Sequence, residues 1–252
     1  MTFENKTVII TGASTGIGKA LVKELADYNC TLFILARRIN LLEEIIEELK
    51  DKPAKIYCVY NDVGDKDSVA EAYKQITAIS QKIDVAILNS GVGFHMTVEK
   101  FNSKLAEDTF RANFFGLVYW TEQLLPMFVK NKAGLIAGTS SLADNRGYSG
   151  SGFYCASKAA ASIYLEGLRV ELIKHKVKVI TIKPGFVKTP MTDINTFKMP
   201  FLMQPEEAAK IIIAGIKKEK RIIQFPLPIV LSTKLVGLIP NFIYDFLIQR
   251  AK

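Results

Sequence analysis

The sequence predicts an α/β fold: one domain on a doubly wound parallel sheet of about seven strands, with helices on both faces. Three observations predict it. Apolar runs of strand length alternate with longer stretches of helical periodicity. The runs are continuously apolar, as strands covered on both faces require. And 252 residues with no evident linker, repeat or low-complexity segment suit a single core, so residues 1–252 are read as one domain.

The strands are expected at 6–11 (KTVIIT), 31–36 (TLFILA), 55–60 (KIYCVY), 84–89 (DVAILN), 134–139 (GLIAGT), 177–182 (VKVITI) and 221–225 (RIIQF). Helical patterns fall near 17–28, 40–50, 66–80, 103–131, 153–175 and 205–219. Strands alternating with helices call for right-handed crossovers and a parallel sheet. In such sheets ligands bind beyond the carboxyl ends of the strands. Residues that carry chemistry should therefore follow strands.

After the first strand comes TGASTGIGKA, with Gly12, Gly16 and Gly18 at the turn into a helix. Glycine lets backbone approach a pyrophosphate closely, and the helix start adds a positive dipole end. Ser14, Thr15 and Ile17 complete this nucleotide loop. After the second strand, Ala36 stands where an NAD site commonly places an acid, and Arg37 and Arg38 follow. A guanidinium suits a 2′-phosphate in charge and in forked geometry, so NADP(H) is the expected cofactor. Arg37 is the first candidate; Arg38 reads more as a solvated loop charge. After the third strand, Asp62 is placed to accept from an adenine amino group and Val63 to line the ring; a plain turn is the alternative. After the fourth, Asn89 and Gly91 let backbone pass near a ribose, again with a plain turn as the alternative.

Composition excludes several classes. His95 and His175 are the two histidines, and Cys30, Cys58 and Cys155 are scattered, so no metal site is expected. Unpaired thiols fit a reducing compartment, and the start of the chain lacks a charged-then-apolar signal region; a cytoplasmic location is expected. The net charge of +8 comes without aromatic-basic interleaving, so no nucleic-acid partner is expected and an anionic cofactor is the simpler one.

In the stretch FYCASKAA, Tyr154 and Lys158 stand four residues apart and leave one helix face. A cation beside a phenol lowers its pKa. With TGASTGIG, NSG, TSS and YCASK in this order, the chain resembles the short-chain dehydrogenase/reductase family over roughly residues 5 to 225. The resemblance implies a Rossmann fold and an active-site tetrad. Its Y-x-x-x-K pair is Tyr154 and Lys158. Its serine lies thirteen positions before the tyrosine, which selects Ser141 over Ser140. Its asparagine is implied at Asn113. The family's N-N-A-G reads Leu88-Asn89-Ser90-Gly91 here, so two positions depart on the cofactor side. After the sixth strand, Pro184 and Gly185 resemble the turn at the nicotinamide end, and Val187 and Thr189 match positions near the carboxamide and pyrophosphate.

The implied activity is NADP(H)-dependent interconversion of a ketone or aldehyde and an alcohol, with Tyr154 as general acid and Lys158 lowering its pKa. A non-catalytic NADP(H)-binding module and a peripheral membrane protein are the rivals. The resemblance also implies a homodimer or homotetramer. Residues 190–204 should form a loop over the substrate, and their apolar content points to a hydrophobic small molecule. Residues 226–252 are an apolar extension broken by Pro226, Pro228 and Pro240, with the basic KKEKR cluster before it. That extension reads as an interface, a substrate cover or a contact with an anionic membrane surface.

Overall fold

The structure, a computed structural model, describes residues 1–195 and 197–250, the last three by backbone alone. Residue 196 of the expected cover loop and the end of the expected tail lie outside the described residues. Seven parallel strands form one sheet: β1 (Thr7–Thr11), β2 (Thr31–Ala36), β3 (Lys55–Tyr60), β4 (Val85–Leu88), β5 (Leu135–Thr139), β6 (Lys178–Pro184) and β7 (Ile222–Phe225). Their order is β3-β2-β1-β4-β5-β6-β7. The strand order reverses between β1 and β4, which puts the topological switch point above that pair.

Successive side chains of a strand face opposite layers. Within β1, Val8 and Ile10 join one core and Ile9 the other. The first core packs the sheet against α1 (Gly16–Leu25), α2 (Ile39–Glu48) and α8 (Pro205–Lys217), through Leu21, Leu42 and Ile212 among others. The second packs it against α3 (Lys66–Ile79), α5 (Gly116–Asn131) and α6 (Gly152–Leu172), through Val69, Trp120 and Leu165. Both faces are covered, which is why most strands are apolar throughout.

Three expectations need correction. β3 is an edge strand, and its Tyr57 and Tyr60 are exposed, so it is not buried on both faces. The helix expected over 103–131 is two helices, α4 (Ser103–Phe110) and α5, joined by a π-helical turn at Arg111–Phe115. A π-turn inserts a residue into the helical repeat and commonly marks a functional position. Finally, the KKEKR cluster lies at the amino end of β7, whereas the tail leaves its carboxyl end. The basic cluster and the tail therefore do not share a face. After β6 come a short helix α7 (Pro190–Asp193) and the cover; after β7 come α9 (Leu227–Leu238) and α10 (Asn241–Arg250).

Candidate active site

The glycine loop joins β1 to α1. Gly12 and Gly16 have φ of +67° and +55°, a conformation that side chains disfavour. A Cβ at Gly18 would collide with the Gly12 carbonyl, so the junction admits only bare backbone. Among the described residues no side chain caps the start of α1, and its first turn carries no acid. Its free N–H groups and positive dipole end suit an anion. Thr189 closes one side, with its methyl 2.7 Å from where a Cβ of Gly16 would stand. Ile17 packs on the first core.

The two arginines divide in an unexpected way. Arg38 Nη2 donates to Ser14 Oγ at 3.0 Å and to Thr15 Oγ1 at 3.3 Å, so its guanidinium lies on the glycine loop. Arg37 is exposed and pairs with Asp62 across 3.8 Å. Arg38, expected as a solvated loop charge, is thus the arginine joined to the glycine loop. Asp62 also accepts from Gly64 N at 3.0 Å through its other oxygen, which is the geometry of an Asx turn. Val63 packs on Gly116 at the start of α5.

The turn after β4 is tied to the glycine loop. Thr11 Oγ1 accepts from Asn89 N at 3.0 Å and Ser90 N at 3.2 Å. The Ser90 that departs from the family pattern lies against Gly12. Gly91 sits where Asn113 and Lys158 meet: an added Cβ would be 3.1 Å from Asn113 Oδ1 and 3.2 Å from Lys158 Nζ.

Asn113 is buried in the π-turn. Its Oδ1 accepts from Val92 N at 2.8 Å, while its Nδ2 donates to Val92 O and Ser157 Oγ, both at 2.9 Å. A buried amide with its partners met is held in one orientation. Ser157, inside the Tyr154–Lys158 spacer, was not singled out from sequence; its signal is its position, one residue before the lysine. Lys158 is buried, and its Nζ donates to Thr139 O at 2.9 Å and lies 5.8 Å from the centre of the Tyr154 ring.

The two serines after β5 separate by role. Ser140 Oγ donates to Lys158 O at 2.8 Å and accepts from Ser162 Oγ at 2.8 Å, so it supports the frame. Ser162 also bonds Asp144, whose carboxylate meets Lys183 Nζ at 2.6 Å. That network fixes the turn beneath Ser141. Ser141 accepts from Ala143 N at 3.1 Å and hydrogen-bonds the Tyr154 phenol.

The electrostatics correct one expectation. Burial pushes the Tyr154 phenol above its ordinary value, the Ser141 hydrogen bond pulls it part of the way back, and Cys155 and Asp144 raise it further. The expected lowering by Lys158 does not prevail, and burial brings the lysine itself down to about 8. Removal from water disfavours both charged forms.

The nicotinamide-end residues follow β6. Gly185 N donates to Phe225 O at 2.7 Å, and Pro184 ends the strand beside Phe225. Val187 pairs with Met203 in an isolated bridge. Met191, just beyond, reaches the site: its sulfur and a Tyr154 ring carbon both stand 3.4 Å from a Cβ at Gly93. The structure thus gathers Asn113, Ser141, Tyr154 and Lys158 with Gly91 at the carboxyl ends of β4 and β5, one strand from the glycine loop.

The family model for short chain dehydrogenase matches residues 6–198. The chain belongs to that family. An uncharacterized oxidoreductase of Myxococcus xanthus is 32% identical over 98% of each chain. An NADP-dependent 3-hydroxy acid dehydrogenase of Schizosaccharomyces pombe is 28% identical over 87% of this chain and 90% of that one. Among solved structures, a short chain dehydrogenase/reductase of Burkholderia phymatum in complex with NAD superposes with a TM-score of 0.86, at 20% identity over 93% of this chain and 94% of that one. The protein is therefore an oxidoreductase of the NAD(P)-dependent short-chain type, on a Rossmann-like sheet.

Proposed function

We propose that the protein is an NADP(H)-dependent reductase that interconverts a ketone or aldehyde and its alcohol, acting on a hydrophobic small molecule. The observation that carries this is the Tyr154 phenol beside Ser141, with buried Lys158 Nζ 5.8 Å from its ring centre. The bare backbone of the glycine loop fits a dinucleotide pyrophosphate, and Arg38 on Ser14 and Thr15 fits a 2′-phosphate beside it. The S. pombe relative, described as NADP-dependent, supports that preference.

Bound NADPH supplies the hydride. Ser141 and Tyr154 hold the carbonyl oxygen between two hydroxyls, whose hydrogen bonds strengthen as negative charge develops there. Tyr154 then gives its proton to the alkoxide as general acid. Its raised pKa keeps the proton in place until that charge appears. Lys158, held by Thr139 O, provides positive charge beside the phenol as it becomes a phenolate. Asn113 holds the 91–92 backbone against the lysine. The apolar cover, with Met191 beside Tyr154 and Phe197 packed on Phe186 at 6.0 Å between ring centres, supports a hydrophobic substrate. We also propose a homodimer or homotetramer, supported by exposed Ile163, Val170 and Ile173 on and after α6, and a cytoplasmic location, which three free cysteines suit.

The test is NADPH oxidation with a panel of aliphatic and aromatic ketones and aldehydes, for wild type and Tyr154→Phe. Wild type should turn over at least one class, and Tyr154→Phe should lose about a hundredfold or more with NADPH binding retained. Wild type that binds NADPH but oxidises it with no carbonyl would instead support a binding module.

A further inference from the structure

The tail departs from the ordinary logic of a surface helix, which buries its apolar side. In α9, Leu227, Leu231, Leu235 and Leu238 recur at i, i+4, i+8 and i+11, on one face. All four are exposed, Leu231 by 53%, Leu235 by 66% and Leu238 by 81%. Phe242 at the start of α10 is exposed by 75%. On its other side Val230 is buried, Ile229 lies near Gly185, and polar contacts add to the hold. Asn145 Nδ2 donates to Thr233 O at 2.5 Å, and Arg146 donates to Val236 O at 3.2 Å and to Ile239 O. Arg146 also reaches Asn241 Oδ1 at 2.7 Å and lies 4.8 Å from the centre of the Tyr244 ring, whose hydroxyl donates to Gly147 O at 2.9 Å. One guanidinium thus pins the junction of α9 and α10, fixing the leucine stripe outward.

The charges around the stripe choose its partner. Lys234 projects within it, and no Asp or Glu occurs from Arg221 to Tyr244. A second copy packed stripe to stripe would bury lysines with no carboxylate on the patch, which is costly. At a bilayer the same lysine can keep its ammonium among the phosphates while the leucines enter the acyl boundary. Among the described residues no single helix is long and apolar enough to cross a membrane, and α9 and α10 meet at 119°. The two pass as a span only when joined across that bend, and so sharp a bend, with a lysine in the stripe, suits a pair lying in an interface.

We infer that α9 and the start of α10 form a docking surface for an anionic lipid bilayer. The surface follows β7, and the cover with exposed Phe201 and Leu202 follows β6, so both lie at the sheet end that carries the active site. Docking depends on no particular substrate.

Flotation of the full chain tests this, with vesicles of phosphatidylcholine alone or mixed with phosphatidylglycerol. Wild type should float with mixed vesicles and less with neutral ones. The double variant Leu231→Glu/Leu235→Glu alters exposed side chains, so it should keep wild-type NADPH binding while its vesicle affinity falls about a hundredfold. Lys234→Glu should weaken binding to mixed vesicles roughly tenfold or more and leave neutral binding little changed. Wild type that stays at the bottom with mixed vesicles would overturn the inference. So would a double variant that floats like wild type, or a stripe-dependent dimer in sedimentation with no vesicle binding. Loss of NADPH binding is read separately and bears on the cofactor site.

Discussion

Gly91→Ala should damage catalysis while leaving the protein folded. The new methyl would stand 3.1 Å from Asn113 Oδ1 and 3.2 Å from Lys158 Nζ, inside ordinary van der Waals contact. Neither neighbour yields freely. Asn113 Oδ1 holds Val92 N at 2.8 Å, and Lys158 Nζ holds Thr139 O at 2.9 Å. Relief requires shifting one of them by a few tenths of an ångström, or moving the turn after β4. Overpacking one methyl costs about 1–3 kcal/mol. At about 2–4 °C per kcal/mol for a chain of this size, Tm should fall by roughly 2–12 °C. Displacing the lysine that supports Tyr154 should lower kcat/KM about tenfold to a hundredfold. Thermal unfolding by circular dichroism and NADPH-linked turnover read the two effects. Gly167→Ala is the control: nothing lies within 4 Å of its added Cβ, and an exposed helical alanine should stabilise by up to about 1 kcal/mol. A Gly91→Ala variant with unchanged Tm and unchanged kcat/KM would refute the reading of Gly91 as the contact point of Asn113 and Lys158.

Further expectations concern the cofactor and the lysine. Arg38→Ala should weaken NADPH binding by tenfold or more, on the order of one charge-assisted contact, and leave NADH binding little changed; calorimetric titration of both cofactors checks it. Arg37→Ala should do less, since its partner is Asp62. Lys158 has a folded pKa of about 8 against an ordinary 10.5. The unfolded chain therefore binds more protons between those values, and stability gains from this group as pH rises through them. Below about pH 8 both states are protonated and the burial penalty is fully present. Urea unfolding of wild type against Lys158→Met should show the wild type gaining on the order of 2 kcal/mol between about pH 7.5 and 9.5. A difference that does not change with pH would contradict the burial argument. Comparison with the variant is needed because Cys30, raised to about 11, acts with the opposite sign as pH climbs past the ordinary thiol value.

The sheet was legible because its physics is local. Continuous apolar runs reported burial on both faces, and glycines after β1 reported a close turn. The grouping of the site candidates was legible through spacing: Ser141 lies beside the phenol while Ser140 is turned to the Lys158 carbonyl. What sequence did not give depended on three-dimensional context. Arg37 and Arg38 are chemically equal, and only the backbone direction after β2 sends one onto Ser14 and the other toward Asp62. The π-turn at Arg111–Phe115 has no periodicity of its own, so 103–131 read as one helix. The sign of the Tyr154 shift followed from desolvation, which a one-dimensional spacing does not report. Edge position also escaped, since β3 is apolar enough to pass for a central strand. Which side of α9 faces the domain also escaped, since it is set by Arg146 from a distant loop.

The most direct test of the central claim follows the transferred hydrogen. NADPH carrying deuterium at both C4 positions of the nicotinamide is supplied with a ketone that wild type reduces, and the alcohol is examined by mass spectrometry. Wild type should place deuterium on the carbinol carbon, and Tyr154→Phe should give almost no alcohol under the same conditions. Alcohol without the label, or undiminished formation by Tyr154→Phe, would contradict hydride transfer assisted by that phenol.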